Sequence, residues 1–244
     1  MSIKVGTFNI LHGQDYPYYL ENKAPLINLT NVSDAISDLG LDICGLNEVR
    51  NQENLEGLCN QVKVIAENIG YNYVFGKAIN WRGGEYGNAF VTKHPIVSSK
   101  CIPIVVPAEE RIAGQPYEDR VLLCVDVLVE GKVVTFMVTH FGLSDDEKNL
   151  AVKVIKEAVA QCENPIVLMG DFNILSDMPQ YAAIAEILSD SISVVEGDSN
   201  TFPSNAPEIK IDYIFTNDKC KAISSFVPNI VTSDHKPFVA IINI

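Results

Sequence analysis

A chain of 244 residues that is 47% apolar and 20% charged suits one large α/β or all-β domain with a sizeable core, or two small ones. Its net charge of −13 repels phosphate backbones at long range. That excludes the electrostatic footprint of a non-specific nucleic-acid binder, while small phosphorylated substrates and substrates approached through a metal ion stay open.

No apolar stretch is long enough to span a membrane, and the opening MSIKVGTFNI lacks the pattern of a signal peptide. The six cysteines, at 44, 59, 101, 124, 162 and 220, form no C-x-x-C pair, so a structural zinc site is not expected. A reduced, cytoplasmic protein is the expectation.

In chain order, residues 5–10 read as an opening strand. Residues 26–39 carry Leu29, Val32 and Ile36 at helical spacing, stopped by Gly40. A buried strand follows at 41–49. Leu58, Val62, Ile65 and Ile69 return to helical spacing, stopped by Gly70. Strand-like runs then cover 71–75, 88–92, 101–106, 121–129 and 133–140, the last two joined by the tight turn Glu130-Gly131. Ser144-Asp145-Asp146-Glu147 is a capping box, and the helix behind it buries Ala151, Ile155, Ala158, Val159 and Cys162. Pro165 starts a strand at 166–171, a short helix follows Pro179, and strands at 209–216 and 237–242 close the chain.

This order mixes hairpins with crossovers. It fits two packed sheets with helices outside, not a doubly wound sheet. No Pro/Gly/Ser-rich linker interrupts it, so residues 1–244 are expected to form a single domain.

Polar residues recur at the ends of the apolar strands. Asn9 follows Val5-Gly6-Thr7-Phe8, and Asn47 and Glu48 follow residues 41–46. His140 follows 136–139, Asp171 and Asn173 follow 166–170, and Asp212 interrupts 209–215. Asp234 and His235, in SDHKP (233–237), precede the last strand. Singly, each has a bland role as a turn residue, a cap or a core histidine. Jointly they bring carboxylates, carboxamides and imidazoles to strand ends, where α/β proteins gather their sites. Those groups are the ligands and donors of a hard-metal phosphoryl site. The chain has no Walker A loop, G-x-G-x-x-G or G-x-S-x-G, which argues against nucleotide-cradling and serine-hydrolase chemistry.

TFNI (7–10), GLNEV (45–49), YGNAFVTKHPI (86–96), EDR (118–120), THF (139–141), GDFN (170–173), TFPS (201–204), IDYIF (211–215) and SDHKPF (233–238) occur in that order. Together they resemble the endonuclease/exonuclease/phosphatase superfamily, the DNase I-like metal-dependent phosphohydrolases. The resemblance implies a four-layer α/β/β/α sandwich and a Mg2+ or Mn2+ cofactor. It implies Glu48 as the principal metal ligand, with Asn9 and Asp234 beside the ion. Asp171 matches the residue that orients or deprotonates the attacking water, and Asn173 the neighbour that holds the phosphate. His235 matches the catalytic imidazole, Asp212 the acid bonded to it, and His140 the second histidine of the DNase-like and sphingomyelinase-like branches. Arg120 and Asn88 match positions near the phosphate. The abasic-site endonuclease branch departs near His140, so the chain looks less like that branch.

The expected activity is metal-dependent hydrolysis of a phosphodiester or phosphomonoester by in-line attack of water. The alternatives are a nuclease and a catalytically inactive scaffold that binds a phosphorylated ligand. The charge and the thin basic stretch at Lys219 and Lys221 weigh against the first; the intact set of acids and histidines weighs against the second. Expected substrates are phosphorylated small molecules, nucleotides or lipid headgroups, with no stable nucleic-acid binding. The loops at 81–87 and 107–119 are where substrate is expected to be chosen, with Trp81 and Tyr86 either stacking on a base or sugar or simply packing.

Overall fold

The computed structural model describes residues 2–53 and 59–244. Its first half runs β1 (Ser2–Asn9), α1 (Tyr16–Asn22), α2 (Leu29–Asp38), β2 (Ile43–Asn51), α3 (Gln61–Ile69), β3 (Asn72–Trp81) and β4 (Gly84–Thr92). Next come β5 (Ile96–Ile104), β6 (Arg120–Val129), β7 (Lys132–His140), α4 (Asp145–Ala160), β8 (Ile166–Asp171) and α5 (Pro179–Ala185). The chain ends with β9 (Ser189–Asp190), β10 (Val195–Glu196), β11 (Asp212–Thr216), β12 (Lys221–Phe226) and β13 (Phe238–Asn243).

The strands form two sheets, ordered β10-β12-β13-β1-β2-β4-β3 and β5-β6-β7-β8-β11-β9. Three apolar clusters define the layers. Val5, Ile43, Phe90, Val125, Phe136, Met169 and Phe238 fill the space between the sheets. Val32, Ile36, Val62 and Ile65 seat α2 and α3 on the outer face of the first sheet. Ala151, Ile155 and Ile184 seat α4 and α5 on the outer face of the second. The result is the four-layer α/β/β/α sandwich that the sequence led one to expect. No helix among the described residues is long and apolar enough to cross a membrane.

The sheets approach closely where the site will lie. A Cβ on Gly45 would stand 2.6 Å from Met169 Sδ in the facing sheet, so only glycine allows that spacing. At Gly170 a Cβ would meet the Thr139 carbonyl of the neighbouring strand at 1.9 Å.

Local chemistry explains the helix ends. Ser144 and Glu147 form both bonds of the capping box at α4. Asn60 caps α3, and Gly70 ends it in the left-handed region. Glu130 and Gly131 both have positive φ, as a two-residue turn between β6 and β7 requires.

Three differences from the sequence reading have physical causes. Helix α1 buries no residue, so it leaves no apolar period; Asp15 caps it through Tyr18 N–H. Strand β12 (KAISSF) is mostly polar, and a register shift interrupts its pairing with β13. The run 209–211 lies before β11 and is held by a bridge from Phe202 to Ile209. Leu58, read as part of the second helix, lies outside the described residues.

Candidate active site

Two parallel strand pairs lie at the centres of the sheets: β1 with β2, and β7 with β8. Parallel neighbours present their C-terminal ends on one side, where α/β folds place ligands. Register does the rest. Asn9 pairs with Asn47 across β1–β2, and His140 pairs with Asp171 across β7–β8. Asp171 pairs on its other side with Asp212 of β11. Asp234 and His235 arrive on the turn before β13.

Glu48 sits where β2 and β4 lose register, between Leu46 and Val49. A bulge re-aims a side chain, and here it costs backbone strain: φ of Glu48 is 59°. Leu11, His12 and Asn173, on the segments leaving β1 and β8, also have positive φ.

The polar groups form one connected set. Asn9 Nδ2 donates to Glu48 Oε1 at 3.1 Å and to Asp171 Oδ2 at 3.0 Å, while its Oδ1 accepts from Leu11 N. Asp171 Oδ1 accepts from Asn173 N at 3.0 Å. His235 Nδ1 lies 2.9 Å from Asp212 Oδ2, and its Nε2 lies 3.6 Å from Asp171 Oδ2. His140 Nε2 lies 3.5 Å from the same oxygen. Arg120 Nη1 lies 3.2 Å from His140 Nδ1. A guanidinium only donates, so His140 Nδ1 is the acceptor and its Nε2 carries the proton.

Electrostatics separates the two histidines. Burial pulls the His140 pKa well below the ordinary value, and the charge of Arg120 adds to this, so the ring is neutral. Burial would also lower His235, but Asp212 and Asp171 outweigh it and raise its pKa to about 10. Burial lifts Asp171 to about 7, against the pull of His235 and Asn9. Glu48 resists burial and is held at about 2 with the help of His12 and Asn9. Burial, reinforced by Glu48, raises Asp234.

Asp171, Asp212 and His235 offer three ligand-type atoms within 4.8 Å of one another. Yet both His235 nitrogens face carboxylates, so the ring is a charged donor with no lone pair for a metal. The oxygen donors of Glu48, Asp234 and Asn9 suit a hard divalent cation better. Among the described residues, neither Glu48 nor Asp234 has a lysine or arginine within 4 Å; Glu48 has only His12, at 3.7 Å. That uncompensated charge is what a divalent cation would neutralise.

Asn173, partly exposed, donates through Nδ2 to Phe141 O at 3.1 Å and so keeps one amide hydrogen for a ligand. Arg120 is tied to Glu118 at 2.7 Å as well as to His140. Asn88 departs from the expectation of a phosphate contact. Its Nδ2 donates to Val121 O and Val138 O, and its Oδ1 accepts from Asn47 at 2.8 Å. No donor is left for a phosphate, and Asn88 instead links the two sheets.

Asn47 does the same at the centre of the site. Its amide donates to Thr139 O at 2.9 Å and its oxygen accepts from Asp171 N at 2.9 Å. Sequence reading placed Asn47 at a strand end without assigning it this role, and it passed over His12 and Arg50. Trp81 and Tyr86 pack beside the site, with their ring centroids 6.3 Å apart. The Tyr86 phenol faces Glu48, and burial together with that charge raises its pKa. The guanidinium groups of Arg50 and Arg82 lie 4.0 and 4.4 Å from the Trp81 ring centroid. The 107–119 loop is tied to the start of α4 through Tyr117–Asp146 and Glu118–Glu147.

A four-layer sandwich with acids, amides and imidazoles at the ends of two parallel strand pairs defines the DNase I-like class of fold. The chain matches the Endonuclease/Exonuclease/phosphatase family over residues 6–235 and belongs to it. It is 22% identical over 231 residues to the uncharacterized protein YbhP of Escherichia coli K12, covering 88% of each chain. A solved endonuclease/exonuclease/phosphatase from Beutenbergia cavernae superposes with a TM-score of 0.81 at 23% identity, over 100% of this chain and 72% of that one. The mannosyl-6-phosphatase Bt3783 of Bacteroides thetaiotaomicron superposes with a TM-score of 0.76 at 19% identity, over 99% and 100%. At these identities the structural likenesses establish the fold.

Proposed function

We propose that the chain is a divalent-metal-dependent hydrolase of phosphoester bonds acting on phosphorylated small molecules. The observation that carries this reading is Asp171 Oδ2, which faces Asn9, His140 and His235 at 3.0 to 3.6 Å within reach of the Glu48 carboxylate. One carboxylate there serves as base while two imidazole N–H groups aim at the same small volume.

Glu48, Asp234 and Asn9 would hold Mg2+ or Mn2+, which when bound polarises the phosphoryl oxygen and stabilises the leaving oxygen. Asp171 takes a proton from water aligned for in-line attack on phosphorus. His235 donates from Nε2 to a phosphate oxygen while Asp212 holds its Nδ1–H. Neutral His140 donates from Nε2. Asn173 offers its remaining amide hydrogen. Both amide hydrogens of Asn9 are engaged, so Asn9 positions Glu48 against Asp171.

The fold shared with a mannosyl-6-phosphatase supports a small phosphorylated substrate, and the charge of −13 weighs against a nuclease. The test is a screen of phosphomonoesters and phosphodiesters with Mg2+, with Mn2+ and with EDTA. Metal-dependent release of phosphate or alcohol is expected. No turnover of any compound in any metal would overturn the reading in favour of a binding scaffold.

A further inference from the structure

The chain carries a large negative charge, yet two arginines beside the site have no acid partner among the described residues. Arg50 lies in β2 two residues beyond Glu48, and Arg82 sits in the turn between β3 and β4. Among the described residues no carboxylate approaches either guanidinium within 4 Å; the arginine ion pairs there belong to Arg111 and Arg120. Arg50 Nε is buried without a hydrogen-bond partner.

Folding alone does not account for this pair. Arg82 and Gly83 both have positive φ, 46° and 82°, as a two-residue hairpin turn demands. Asparagine or glycine suits the first of those positions; an arginine there is strained. A single cation on a tryptophan face is favourable, but two like charges on one ring repel each other. Glu48 attracts Arg50.

Position supplies the link to chemistry. The His12 ring lies 3.7 Å from Glu48 at Nδ1 and 6.4 Å from Trp81 between ring centroids. The Trp81 ring that carries both arginines is thus linked through His12 to Glu48, the acid that would hold the metal. Guanidinium groups bind phosphate through a planar fork of donors. Both arginines pack on the Trp81 ring, so a base stacking there would have to displace one of them.

We propose that Arg50 and Arg82, mounted on Trp81, form a subsite for a second phosphate group, so that the preferred substrates are small bisphosphates. This rests on the hydrolase reading for where the first phosphate binds.

The test is calorimetric titration in Mg2+, with Asp171→Asn to block turnover. The probes are fructose 1,6-bisphosphate, glucose 1,6-bisphosphate and ribulose 1,5-bisphosphate, each against its 6- or 5-monophosphate. At least one bisphosphate should bind about tenfold or more tightly than its monophosphate. The gap should close to under about twofold when Arg50→Gln and Arg82→Gln are added. Arg82→Gln alone changes only an exposed turn, so it keeps the fold, and it should narrow the gap by itself. Equal affinities in all three pairs, or a gap that survives both substitutions, would overturn the subsite. A gap that closes with the substitutions, in a protein that the full screen of phosphomonoesters and phosphodiesters finds inactive, would overturn the hydrolase reading and leave the subsite standing. Hydrolysis with equal affinities would overturn the subsite alone.

Discussion

The imidazole of His235 is clamped between Asp212 Oδ2, 2.9 Å from its Nδ1, and Asp171 Oδ2, 3.6 Å from its Nε2. The two acids have different tasks. Asp212 is fully buried behind the ring and keeps it charged. Asp171 lies on the side of Glu48 and can take a proton. Turnover should therefore need Asp171 deprotonated, above about 7, and His235 protonated, below about 10. Asp212→Asn should move the basic limb of the pH–rate profile to lower pH and cut the rate by about 10- to 100-fold. Asp171→Asn should instead remove most activity at every pH. Because the clamped pair acts as a unit, Asp212→Asn with His235→Ala should be little worse than His235→Ala alone. A full set of pH profiles on a substrate from the screen checks this; an unmoved basic limb in Asp212→Asn contradicts the clamp.

The same clamp ties stability to pH. The folded His235 pKa of about 10 stands above its ordinary value of 6.5. The stabilisation is thus complete below about pH 6.5 and disappears as pH rises through about 10. Denaturant midpoints of wild type and Asp212→Asn should differ most near pH 6 and converge above pH 10. A gap that widens with pH would mean the ring is neutral in the fold.

Glu48→Gln keeps volume and removes a charge from the proposed cation site. Activity should fall by about a hundredfold or more, judged by what metal-site substitutions cost. Added Mg2+ or Mn2+ should raise the melting temperature of wild type, because an ion that binds only the folded state stabilises it, and should raise that of Glu48→Gln much less. Equal metal-induced shifts in the two proteins would place the ion elsewhere.

Asn47→Ala should unfold more easily than wild type by about 2–4 kcal/mol. It strips partners from Asp171 N–H, Thr139 O and Asn88 Oδ1 at once, all of them buried. Equilibrium urea unfolding measures this. A change below about 0.5 kcal/mol, the range of ordinary surface substitutions, would show that the sheets do not depend on these bonds.

What could be read beforehand depended on how each group is held. Asn9, His140 and Asp171 end strands whose apolar runs are unmistakable, so their positions followed from periodicity, whereas Asp212, read as interrupting a strand, in fact begins one. Glu48 was recognised by motif, but its aim depends on a bulge, and an extra residue in a strand leaves no mark in composition. Asn47 and Asn88 look like any strand-end amides; only pairing across two sheets makes them cross-links. His12 and Arg50 reach the site through a left-handed backbone and a contact with Trp81, neither of which has a periodic signature. Helix α1 and strand β12 were invisible because they bury too little to impose a pattern.

Asn9 and Glu48 ride on one sheet, whereas His140, Asp171 and Asp212 ride on the other. The cleft is therefore a seam, and its chemistry depends on alignment across a joint. Sliding of one sheet past the other by a fraction of a strand spacing would part Asn9 and Glu48 from Asp171, and His235, which leads into β13 of the first sheet, from Asp212, with every strand still paired and both helical layers still seated. Such a molecule loses function by misalignment before it loses shape. Heat or mild denaturant should silence it while its secondary structure still looks native, and Gly45 and Asn47 are the fittings that set how much slack the joint allows.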